Sequence, residues 1–186
     1  IQTVLFEFLC TVRRHQYAPV RWHSSAAFSL PKPSANISAL KYDKQRTVHS
    51  LCPMGSAVYL VMWNRLQYQK APEISHGYRS NRRRGNPQMQ HHIVSHRLRK
   101  ANISHSGVSH DVKNAFHSAP HREFDLIIDQ RAGAPGDDQL LKQRYRNATT
   151  NIKALDGPLT MRLTQGTLPG DKIAAVLFRD MYEPRI

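Results

Sequence analysis

Two groups of residues and one lone acid could do chemistry in this chain. Asp111 sits in "HSGVSHDVKNAFHSAPHREFDL" (105–126), after a Val/Ser/His run and five residues before Phe116. A carboxylate at a strand end can ligate Mg²⁺, which prefers oxygen ligands. The same residue type also caps helix N-termini by accepting a backbone N–H of the first turn. Both roles are open for Asp111 on these residues alone. The first group is cationic. Arg79, Arg82, Arg83 and Arg84 fall within "EISHGYRSNRRRGNPQ" (73–88). That run suits phosphate-backbone contacts that carry no base specificity, or it is a solvated charged loop. The second group is His92 and His96, spaced i, i+4, with His91 beside them. Helical histidines at that spacing can bind zinc, but HExxH and paired cysteines are both missing. No nucleophile elbow, Walker loop or dinucleotide fingerprint occurs.

Charge narrows the partners. Lys and Arg number 27 against 13 Asp and Glu, a formal net charge of +14 in 186 residues. Clustered cations release counterions from a polyanion, so nucleic acid, RNA or DNA, is the partner to expect ahead of an acidic protein or lipid surface. Cys10 and Cys52 are the only cysteines and form no CxxC. This argues against a disulfide framework and for an intracellular, reducing compartment. No apolar run is long enough to span a bilayer. The opening "IQTVLFEFLCTV" reads as a core-packing helix and not as a signal segment.

Periodicity supplies the elements that must position these groups. A helix is expected over 1–17, stopped by Pro19. Strands are expected at 22–30 and 46–51, with a helix at 56–69 whose stripe is Val58, Val61, Met62 and Leu66. A further helix at 88–101 turns Met89, Ile93 and Leu98 inward. A strand then leads to Asp111, followed by the helix "HREFDLIIDQ" and a second helix, "DQLLKQRYRNATTNIKAL". "DGP" is a turn, "LTMRLTQG" a strand, "TLPGD" a turn and "KIAAVLFRDMYE" a closing helix. The order suggests an α/β or α+β fold.

Taken in order, five blocks resemble reverse transcriptases of the retroelement, non-LTR retrotransposon type. "PVRWHSSAAFSLPKP" is similar to the first fingers strand. "YDKQRTVHSLCPMGSAVYLVMWNRL" is similar to the next block, and "SHGYR" to a Gln-x-Gly-Phe-Arg segment. "DVKNAFHSAP" resembles the first palm motif, and "TQGTLPGDKIAAVLF" the later Gln-Gly motif. The resemblance implies a partial right-hand polymerase fold, fingers plus incomplete palm. It divides the chain into an N-terminal helix (1–18), a fingers-like part (19–100) and a palm-like part (101–186). It implies that Asp111 is the catalytic carboxylate and, with the Val112 carbonyl, a ligand of Mg²⁺. Two such ions, about 3.5–4 Å apart, clamp the attacking and leaving oxygens in phosphoryl transfer. Phe116 would pack under the sugar, and Gln165 and Gly166 would line the nucleotide, glycine allowing close backbone approach. Lys32 and Arg46 would hold the triphosphate as a point charge and a planar fork.

The resemblance has gaps. The family's second acidic motif, Tyr/Phe-x-Asp-Asp, is missing before Ile186, and Asp137-Asp138 reads as a helix start. His117 stands where the family commonly has Asp. The expected function is therefore a nucleic-acid-binding, reverse-transcriptase-like segment that does not polymerise by itself. The alternative is a domesticated basic RNA-binding or scaffold subunit of a ribonucleoprotein such as an organellar ribosome.

Overall fold

In a computed structural model of the chain, residues 1–31, 45–66, 83, 85–108, 115–131, 133–154 and 157–182 are described. Helix α1 (Gln2–His15) is followed by the short α2 (Val20–His23) and by strands β1 (Ser24–Pro31) and β2 (Gln45–Leu51). Helices α3 (Pro53–Arg65), α4 (Gly85–Lys100), α5 (Ala115–Ser118), α6 (His121–Asp129) and α7 (Asp137–Arg146) come next. Strands β3 (Thr149–Ala154) and β4 (Gly157–Arg162) precede α8 (Ala174–Tyr182). The result is a small mixed α/β fold around one four-stranded sheet, in the order β2-β1-β3-β4. None of the helices among the described residues is long and apolar enough to cross a membrane.

The sheet joins distant parts of the chain. β1 and β2 pair antiparallel from Ser25↔Leu51 to Pro31↔Gln45. β1 then pairs parallel with β3, from Ser24↔Thr149 to Ala27↔Ile152, and β3 runs antiparallel to β4. The segments 19–100 and 101–186 thus share one sheet. They also share one core, built on Trp22, Tyr59, Trp63, Phe124, Leu140, Tyr145 and Leu177 together with Val12 of α1.

Local signals explain two helix starts. Pro53 opens α3, where the missing N–H costs nothing and the fixed φ suits a first helical turn. Asp137 opens α7, as its acidic pair suggests, because an acid is favoured against the positive end of the helix dipole. Asp137 is itself fully buried, with Arg13 of α1 at 3.1 Å. Gly55 lets α3 approach α2, since a Cβ there would lie 2.8 Å from Trp22 Cγ.

Several expectations are corrected. The helix expected through "NATTNIKAL" stops at Arg146, and Thr149–Ala154 form β3 instead. The β-branched Thr149, Thr150 and Ile152 satisfy their backbone by pairing with β1 on one side and β4 on the other. Gly157, at φ 122°, and Pro158 of the expected "DGP" turn open β4, and Asp156 lies outside the described residues. No strand forms over residues 103–108. Helix α4 buries none of its residues, and Met89 and Ile93 face solvent. In α3, Val61 is exposed while Tyr59 and Trp63 enter the core beside Met62 and Leu66. In α1 only Val12 is buried, and Val4, Leu5 and Phe6 are exposed.

Candidate functional site

Two blocks far apart in sequence meet where α5 ends. The Thr167 N–H donates to the Phe116 carbonyl at 2.6 Å, and the Gly166 N–H donates to the Ala119 carbonyl at 2.7 Å. Pro120 and Gln165 form an isolated antiparallel bridge. His121 Nε2 donates to the Gly166 carbonyl at 2.9 Å. The segment "AFHSAP" is thereby laced to "TQGT" through the backbone.

Glycine is required at position 166 for two reasons. Its φ is +80°, a region L side chains rarely adopt. A Cβ there would also lie 2.6 Å from His117 Cα and 2.7 Å from the Phe116 and His117 carbonyl oxygens. The close approach that this glycine permits is to the backbone of α5. Phe116 is half-buried and packs on Phe178 of α8 with ring centroids 5.4 Å apart. Gln165 is exposed beside it.

A buried ion pair holds the floor of this junction. Arg144 Nε donates to Asp171 Oδ2 at 2.9 Å, and both side chains are fully buried. The guanidinium also donates to the Trp22 carbonyl and lies 5.0 Å from the centre of the Tyr59 ring. One arginine so connects α7, α2, α3 and the loop that carries Gly166. Burial raises the phenol pKa of Tyr145 well above its ordinary value, and the neighbouring Asp171 carboxylate adds to that. Burial likewise raises the Tyr59 phenol. His23, within 3.3 Å of the Tyr59 hydroxyl, is driven down to about 4. Burial is the main cause there, a hydrogen bond with the Ala18 backbone opposes it, and the Arg144 charge adds to it.

A third polar group lies under the sheet. Ser25 Oγ is 3.1 Å from His49 Nδ1 and 2.8 Å from Thr150 Oγ1, all three buried. Burial lowers the His49 pKa, and His117, with ring centroids 6.5 Å away, lowers it further.

No protein-family model and no curated protein matches this chain.

The structure brings Phe116, Gln165 and Gly166 together but does not bring Arg46 to them. Arg46 is exposed at the far end of β2, opposite Leu30. Side chains alternate along a strand, so Arg46 occupies the sheet face opposite to His49, on whose side the junction packs. Arg83 is exposed. Lys32, Arg79, Arg82, Arg84, Asp111 and Val112 lie outside the described residues.

The expectation of Mg²⁺ is corrected. Among the described residues, no group of three or more His, Cys, Asp or Glu side chains could hold a metal ion. The physical reason is that five of the six described aspartates are drawn to cations. Asp171 pairs with Arg144, Asp180 with Arg131 and Arg179, Asp125 with Arg146, Asp129 with Lys142, and Asp137 with Arg13 and Arg65. Each of those carboxylates already has a compensating charge, and they are spread over α6, α7, α8 and the loop before α8.

Residue types alone hid the buried groups. Arg144 lies in a basic helix and reads as a surface cation, and Asp171 reads as part of a turn. One available signal was Leu140, Leu141, Arg144 and Tyr145, which repeat at i, i+1, i+4 and i+5 on one helical face.

Proposed function

We propose that this chain is a nucleic-acid-binding segment of reverse-transcriptase ancestry. The observation that carries the reading is the meeting of two blocks of that resemblance, "AFHSAP" and "TQGT", through the 2.6 Å hydrogen bond from Thr167 to Phe116. The blocks lie about 50 residues apart, and the loop between them folds away as α6, α7 and the β3–β4 hairpin. A net charge of +14 supports the polyanionic partner. The four strands add support, because they contain Arg46, Lys153 and Arg162 and no Asp or Glu.

The binding is phosphate-dominated, with little sequence preference, since arginine and lysine contacts to the backbone do not read bases. Fluorescence anisotropy with labelled RNA and DNA oligonucleotides across a salt series tests it. The expected result is an affinity that falls linearly in log–log form as salt rises. An affinity indifferent to salt, or no binding at low salt, overturns the reading.

A further inference from the structure

Among the described residues, one face of the sheet is packed at its centre, although Leu159 and Met161 of β4 on that side are exposed, and the other face buries none of its residues. Ser25, Ala27, His49 and Thr150 on the packed face are buried. The alternate residues of β1 and β2 include Phe28, Leu30 and Val48, which are 54%, 52% and 43% exposed. Register places Phe28 opposite Val48 and Leu30 opposite Arg46. On the other side of β1, Ala26 sits opposite Asn151, whose side-chain oxygen accepts from the Thr160 hydroxyl at 2.7 Å. Lys153, two residues on, is exposed on that same face. At the β1 N-terminal end the face runs into a cleft of about 680 Å³, bordered by Arg21, Trp22, Ser24, Ser50, Met54 and Asn151. No residue of the four strands or of the cleft wall is acidic.

We infer that this open face is a track for single-stranded nucleic acid, with Phe28 as a base-stacking platform and Arg21, Arg46 and Lys153 as phosphate contacts. The inference rests on the nucleic-acid reading above and specifies its site and substrate class. Three observations select the occupant. The apolar strip is narrow and bordered by cations and by Ser, Thr and Asn hydroxyl and amide groups, which suits a ligand both aromatic and anionic. The cations stand without an acid on the same sheet, so their charge is available to phosphates. A flat aromatic face on a sheet stacks only on unpaired bases, because duplex bases keep their π-faces to each other. Arg162 is left out of the track because its guanidinium donates to the Arg146 carbonyl.

The test uses the full chain and a labelled single strand of about 12 nucleotides, within the site sizes of sheet-based single-strand binders. Phe28→Ala is expected to weaken binding about 5- to 150-fold, the range for loss of one stacked base. Phe28→Tyr is expected to retain binding. Arg46→Glu and Lys153→Glu are expected to weaken it and to flatten the salt dependence. Circular dichroism melts confirm folding of each variant, since all three positions are exposed.

If the wild type binds single strands in a salt-dependent way and none of these variants changes that, the track is wrong while the nucleic-acid reading stands. If the wild type binds no oligonucleotide, both fall. Equal affinity for duplex of the same length, with the same loss on Phe28→Ala, also overturns the single-strand assignment. So does a wild-type dimer in light scattering that Phe28→Ala dissolves, because the face then serves protein association.

Discussion

The two faces of the sheet use the same residue chemistry for opposite ends. On the packed side, arginine is buried: Arg144 is fully enclosed and answered by Asp171, the Trp22 carbonyl and the Tyr59 ring. On the open side, Arg46 and Lys153 are exposed on strands that contain no acid. A buried cation must be matched, since desolvation is costly and an unmatched charge is worse. An exposed cation keeps its hydration and can exchange counterions for a ligand's phosphates. Burial therefore turns arginine into a fastener, and exposure leaves it free to bind. The aromatic residues divide in the same way. Phe124 and Tyr145 lie 5.2 Å apart inside the core, whereas Phe28 presents its ring to solvent.

The largest break in this contrast should come from the fastener. Arg144→Met leaves Asp171 buried and unpaired, and the expected loss is about 3–5 kcal/mol of unfolding free energy. Urea denaturation measures it. Adding Asp171→Leu to that variant should recover part of the loss, because the orphaned charge is then gone. A double variant no more stable than Arg144→Met would show that the ion pair is not what the arginine contributes.

Acid should separate the faces next. His23 is held at about 4 in the fold against an ordinary value of 6.5. Its neutral form is the one the folded chain prefers, so stability is fully present above pH 6.5 and declines as pH falls toward 4. The loss for this group reaches about 3 kcal/mol. Burial also lowers His49 and His121, and both act in the same direction. A pH series of thermal melts should show this decline, and His23→Leu should flatten it. Melting temperatures constant between pH 7 and pH 4 would contradict the assignment.

The smallest effects compare one residue from each face. Gly166→Ala forces a Cβ against the α5 backbone at positive φ and should cost about 1–3 kcal/mol or more. Phe28→Ala removes an exposed ring and should stay within about 0.5 kcal/mol of the parent. Melts of the two variants side by side measure the difference. Equal destabilisation would mean that Phe28 supports the fold and is not held in reserve for a ligand.

Legibility in the sequence followed the range of the physics. Pro53 and Asp137 announce helix starts through φ restriction and the helix dipole, both local effects. The β3 strand was read as helix because its residues gain from strand pairing only once β1 and β4 lie alongside. The resemblance implies that Gly166 lines the nucleotide, whereas its close approach in the structure is to the α5 backbone. The resemblance implies that Phe116 packs under a sugar, and its contact in the structure is packing on Phe178.

By itself, the sequence determined a mixed α/β chain with a large positive charge and the starts of α6 and α7. Those follow from composition and from interactions within a few residues. Only the tertiary structure decided which arginines are buried, which sheet face is covered at its centre, and that Arg46 and Gly166 lie on opposite sides of the sheet. Those outcomes depend on contacts between residues as far apart as Trp22 and Arg144, and no local preference encodes them.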